Sequence, residues 1–294
     1  MGAKNKGIPV AALALLAALA SACDSGAPAT GADAPAMPAP ATGTPPTAND
    51  RAAAAPEPER PVVAETLPYA EIDEQLVYGY FAFPADMVDP LPGIVIVHER
   101  WGLDDSTRGL AESFAAQGYV VLAIDLFGGK VATDGTQSRN LMLPVVENQQ
   151  VAHENIRQAR QFLVESGQAP RIGILGWSFG ATQAMNAALA LPELLDAAVL
   201  YYGQVTTSTE RLADLAVPVL AIFGENDRGF TIDKVREFQT AMESLGKTFK
   251  VEVYPGVGHG FADPNGPNYN PQAADSARQL ALAFLAEHLA TARD

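Results

Sequence analysis

Residues 176–180 read Gly176-Trp177-Ser178-Phe179-Gly180, a serine spaced between two glycines. An unperturbed hydroxyl is a poor nucleophile and needs a base to take its proton. The G-x-S-x-G spacing suits a strand-to-helix turn so tight that its flanking positions must be nearly without side chains. Such a turn lifts the Ser178 hydroxyl clear and aims a helix N-terminus at a reacting carbonyl, where developing negative charge is favoured. The base is expected further along the chain. His259 lies in Gly256-Val257-Gly258-His259-Gly260-Phe261, where glycines leave its ring free to approach a serine. Gly224-Glu225-Asn226-Asp227 supplies two carboxylates. Asp227 is the expected acid and Glu225 its rival, because the shorter side chain holds an imidazole at a fixed distance. Ser178, His259 and Asp227 together would perform nucleophilic acyl transfer. Trp101, Phe127, Trp177, Phe230 and Phe261 fall in or beside the same loops, and are candidates to line an apolar acyl pocket.

These loops need a scaffold to bring them together. Apolar, β-branched runs at 76–83, 93–98, 119–124, 171–176, 197–202, 217–223 and 249–254 predict strands. Several are almost wholly apolar, as strands buried on both faces of a parallel sheet require. Helical patterns at 107–117, 151–165, 179–191, 232–245 and 271–289 alternate with them. The alternation predicts βαβ units in one α/β domain, residues 63–294. Right-handed crossovers would place the strand C-termini, and any site, along one edge. Ser178, Asp227 and His259 each follow such a C-terminus.

The 294 residues carry a net charge of −15, which leaves no basic surface for nucleic acid. Neither a P-loop nor zinc-ligand spacing occurs, so no cofactor and no metal are implied. Cys23 is the one cysteine, so the fold must stand without an internal disulfide. Lys4 and Lys6 precede an apolar run at 8–20, which is short for a membrane span and suits a signal peptide, residues 1–22. Leu19-Ala20-Ser21-Ala22-Cys23 resembles a bacterial lipobox. The resemblance implies cleavage before Cys23, acylation of that residue, and an exported, membrane-anchored lipoprotein facing the periplasm or cell exterior. Residues 23–62 are rich in Ala and Pro, and read as a disordered tether.

From about residue 70 the chain resembles the dienelactone hydrolase family. The resemblance rests on His98-Glu99-Arg100-Trp101-Gly102-Leu103, on Gly118 to Phe127, on the serine turn, on Tyr201-Tyr202-Gly203, on the Asp227 loop and on Gly258-His259-Gly260-Phe261. It implies an α/β-hydrolase fold with a mostly parallel sheet flanked by helices. It also implies a small-molecule ester or lactone as substrate, and no cofactor. By the same resemblance, Glu99 contacts the resting nucleophile, and the backbone N–H groups of Arg100 and Phe179 form an oxyanion hole. Two positions depart from the pattern. Founding members carry cysteine where Ser178 stands, and an arginine that grips a substrate carboxylate where Asp263 stands. Asp263 would meet an anionic dienelactone with like charge, so the resemblance supports ester chemistry and not the namesake substrate. Peptidase or acyltransferase chemistry on the same fold, with residues 128–143 as a lid, is one alternative. A binding lipoprotein with a decayed site is another. Against the latter, all three triad residues and both elbow glycines are present.

Overall fold

A computed structural model describes residues 60–290; residues 1–22, Cys23 and most of the tether lie outside them. The described chain opens with an antiparallel hairpin, β1 (Val62–Ile72) and β2 (Gln75–Pro84). Ordered pairing thus starts at Val62, the last residue of the expected tether. The apolar-run reading finds β2 and misses β1. β1 is an edge strand in which exposed Glu65, Thr66, Pro68 and Glu71 interrupt the apolar residues, so it presents no continuous apolar run.

The rest of the sheet is parallel, in the order β1-β2-β4-β3-β5-β6-β7-β8. Its strands are β3 (Gly93–Val97), β4 (Val120–Ile124), β5 (Ile172–Trp177), β6 (Ala197–Tyr201), β7 (Val219–Gly224) and β8 (Phe249–Tyr254). β3 to β7 are buried at every position, which explains their apolar composition. Alternate residues serve opposite faces. Val95 and Val97 of β3 join one core cluster, while Ile94 and Ile96 join another.

The second cluster is closed by α1 (Asp105–Ala115) and α7 (Pro271–Leu289), through Phe114, Ala281 and Leu285 among others. The first is closed by α3 (Gln149–Glu165), α4 (Phe179–Ala190) and α6 (Ile232–Ser244), through Ile156, Met185 and Phe238. Two helices go unanticipated. The short α5 (Thr209–Ala213) follows β6, and α2 (Gly135–Glu147) occupies most of the expected lid segment. Pro144 inside α2 and its weak amphipathicity hide it. A local start signal is nonetheless present. Asp134 caps the amides of Thr136 and Gln137, and the Gln137 side chain reaches back to the Thr133 N–H at 3.1 Å.

Parallel register sets the site. Val97 pairs with Gly176, Trp177 with Tyr201, Tyr201 with Ile222, and Gly224 with Tyr254. The loops leaving β3, β5, β6, β7 and β8 therefore emerge side by side.

Candidate active site

Between β5 and α4 the chain reverses within one residue. Ser178 has φ 50° and ψ −113°, a backbone conformation that costs energy for any residue with a Cβ. The flanking glycines permit it. A Cβ on Gly176 would lie 2.4 Å from the Gly180 carbonyl carbon, and one on Gly180 would lie 2.1 Å from the Val97 carbonyl oxygen. As the N-cap of α4, Ser178 forms no side-chain cap. Its hydroxyl turns outward and pairs with His259 Nε2 at 2.9 Å.

His259 Nδ1 lies 2.8 Å from Asp227 Oδ2. Nδ1–H donates to the carboxylate, which leaves Nε2 as acceptor for the serine proton. The other carboxylate oxygen of Asp227 accepts from the N–H groups of Gly229 and Phe230 at 2.7 and 3.2 Å. Burial acts to raise the Asp227 carboxyl, but the hydrogen bonds from His259 and these amides overcome it and hold its pKa below the ordinary value. The bond to Asp227 raises His259 above the usual histidine range, against the opposing effect of burial.

Glu225, the rival acid, is committed elsewhere. Its Oε2 accepts from the Gly256 N–H at 2.9 Å, tying the loop after β7 to the loop after β8. Two backbone bonds, Glu225 N–H to Tyr254 O and Asn226 N–H to Val257 O, both 2.9 Å, reinforce this tie. Close approach of the two loops requires Gly224, whose Cβ would sit 2.6 Å from the Val257 carbonyl oxygen.

The loop after β3 carries Glu99 and Arg100. His98, wholly buried, pins it. Leu126 N–H donates to His98 Nε2 at 3.1 Å, so His98 Nδ1–H donates to the Glu99 carbonyl oxygen at 2.6 Å. Burial lowers the His98 pKa, which keeps that neutral tautomer. Neither nucleophile nor acid, His98 is a structural residue, and its place at the end of an apolar strand is the sequence signal for it. Glu99 Oε1 accepts from Tyr202 Oη at 3.4 Å. The Tyr202 ring packs edge-on against His259, with centroids 5.0 Å apart. The Glu99 carboxyl thus pairs beside the histidine, while the partner of the Ser178 hydroxyl is His259 itself. Burial, and then the charge of Asp263, push Glu99 up to about 7.

Two cavities flank this arrangement and share Tyr202. The cavity around Ser178, about 350 Å³, is lined by Ser178, Phe179, Arg100, His259, Phe230 and the α2 residue Met142 among others. Both residues whose amides were expected to form the oxyanion hole, Arg100 and Phe179, line it. Phe179 opens α4, where first-turn N–H groups lack intrahelical partners. The acidic cavity, about 400 Å³, is lined by Glu99, Asp104 and Asp263 together with Trp101, Trp177 and Tyr202. Of the five aromatic candidates, Trp101, Trp177 and Phe230 therefore line a cavity. Phe127 and Phe261 do not. Phe127 packs against His98 and Phe179, and Phe261 is wholly buried against Tyr202 and Tyr254. Phe127 joins a small cluster with Val145 of α2 and Ala152 of α3, whereas Phe261 joins the core cluster closed by α1 and α7.

The sequence pattern of the Dienelactone hydrolase family matches residues 77–289, which runs from within β2 to the end of α7. The chain belongs to the dienelactone hydrolase family. As a member it is a carboxylic ester hydrolase. Among the relatives, it is 31% identical over 205 residues to Protein usf of Aquifex pyrophilus, covering 67% of this chain and 89% of that one. It is 24% identical over 226 residues to a carboxymethylenebutenolidase homolog of Xenopus tropicalis, covering 74% and 90%. Solved structures share the fold. A dienelactone hydrolase-like promiscuous phosphotriesterase from metagenomic libraries superposes with a TM-score of 0.71 at 18% identity, covering 78% of this chain and 99% of that one.

Proposed function

We propose that this dienelactone hydrolase family member cleaves a carboxylic ester or lactone through an acyl-enzyme on Ser178. The observation that carries the reading is the unbroken hydrogen-bonded chain from Asp227 through His259 to Ser178, ending at a strained elbow. His259 takes the serine proton as Oγ attacks the carbonyl, and Asp227 holds the tautomer and stabilises the imidazolium. The amides of Phe179 and Arg100 receive the oxyanion. His259 protonates the departing alkoxide, then activates the water that releases the acid. Ser178→Ala is expected to lower kcat by roughly a million-fold without loss of fold, and to abolish labelling by a fluorophosphonate. Wild-type rates in the purified variant would remove Ser178 from the mechanism.

We further propose that the protein is exported and anchored by lipid on Cys23. Cys23 lies outside the described residues, and the support is the lipobox-like run together with the absence of any other cysteine in the chain. Stable anchoring takes more than one acyl chain. The mature N-terminus is expected to be an acylated Cys23 by mass spectrometry; an unmodified thiol there would leave plain secretion.

A further inference from the structure

Gln183 on α4 is 1% exposed and lines the cavity around Ser178. Its amide oxygen is buried without a hydrogen-bond partner. Such a group carries a desolvation cost that a hydrocarbon side chain would avoid. Its polar neighbours in the same wall are satisfied. Thr182 Oγ1 donates to the Ser178 carbonyl at 3.1 Å and accepts from Gln204 N–H at 3.0 Å. Asn186 Nδ2 donates to Gln149 Oε1 at 3.2 Å, and Gln149 Nε2 donates to the Val145 carbonyl at 2.9 Å. Arg100 lines the same cavity. Its Nε is likewise buried without a partner, while its guanidinium rests on the Trp101 ring at 4.4 Å. Two residues that line the cavity of Ser178 thus each carry a buried polar atom without a partner, an acceptor on Gln183 and a donor on Arg100. A hydroxyl group can satisfy an acceptor of this kind, since it donates once. The terminal amide of glutamine turns about a broad two-fold torsion, so its oxygen can be presented to the cavity without moving α4.

We propose that Gln183 is a specificity residue that accepts a hydrogen bond from a substrate hydroxyl, so that this cavity takes hydroxylated esters in preference to plain alkyl ones. The proposal rests on Ser178 being the nucleophile. The hydroxyl can belong to the acyl part or to the alcohol part, and two matched pairs separate these sources. One pair is 4-nitrophenyl 3-hydroxybutanoate against 4-nitrophenyl butanoate. The other is a hexose monoacetate against cyclohexyl acetate. Wild type is expected to favour the hydroxylated member of one pair by about tenfold or more in kcat/KM, since sites built to bond a hydroxyl discriminate strongly against analogues lacking it. Gln183→Met should bring that ratio close to one, whatever its effect on the plain ester. Gln183→Glu, which keeps the acceptor, should retain the preference. A structural role would move both members of a pair together and leave the ratio alone. That result, or a wild type with no preference in either pair, overturns the proposal. If wild type cleaves none of the four esters and takes no fluorophosphonate label, the assignment of Ser178 falls, and this inference with it.

Discussion

The two cavities beside His259 are built from the same row of loops and have opposite character. The cavity around Ser178 carries a cation, Arg100, and a wall of amides and hydroxyls: Gln149, Thr182, Gln183, Asn186 and Gln204. Among the described residues, no lysine or arginine lines the acidic cavity, where Glu99, Asp104 and Asp263 stand among aromatic faces. Two of these carboxylates also hold backbone. Asp104 caps α1 through the Thr107 N–H at 2.9 Å, and Asp263 accepts from the Asn265 N–H at 2.9 Å. Glu99 faces them with a carboxyl resistant to ionisation. The difference teaches that one sheet edge can place neutral hydrogen-bonding groups on one side of a serine and carboxylates on the other. Only the position of the strand ends is common to both.

The sharpest break removes the axis between the two cavities. Asp227→Asn leaves the geometry but favours the wrong imidazole tautomer, and is expected to lower kcat by about ten thousand-fold. Glu225→Gln should change it little, because Glu225 holds the loop after β8 and not the histidine. The reverse ranking in steady-state kinetics would make Glu225 the acid.

A smaller effect is expected from reversing charge in the acidic cavity. Asp263→Arg should raise kcat/KM for an ester whose carboxylate seats there, relative to the matched amide, by roughly fivefold, or about 1 kcal/mol. The gain should shrink as salt is added. A wild type that already prefers the carboxylate would show that the anion seats elsewhere, with Arg100 as the available cation.

A further effect is on stability. Burial and Asp263 lift Glu99 from an ordinary 4.5 to about 7. The folded state therefore binds this proton more tightly than the unfolded state. Its contribution is fully present below the unfolded pKa and is lost as pH rises through the folded one, over a window from about 4.5 to about 7. Glu99→Gln, neutral throughout, should gain Tm relative to wild type at pH 8 by a few degrees and gain little at pH 4. An equal difference at both pH values would mean that Glu99 ionises freely.

The periodicities and the elbow were legible in the sequence because they are local. Continuous apolar runs reported strands buried on both faces, and two glycines around Ser178 reported a turn that no Cβ would fit. Chain order then pointed to Asp227 and His259. β1 and α2 were not legible in the same way. The first is broken by polar residues and a register shift between Pro68 and Ala70 at an edge of the sheet, and the second carries Pro144 and is held mainly by its cap and its contacts.

Side-chain direction was decided by tertiary structure alone. Phe127 and Phe261 fall in loops at the site edge, yet both are buried away from the cavities, while Gln183 lies on α4 and lines one of them. The choice between Asp227 and Glu225, two residues apart on one loop, depended on which carboxylate the register of β7 and β8 turned toward the imidazole. The sequence by itself determined which chemical groups would meet at one sheet edge, because strand order and turn sterics are written into short segments. Which atoms face the substrate was settled only by packing, because a side chain's direction depends on the neighbours that exclude it from every other place.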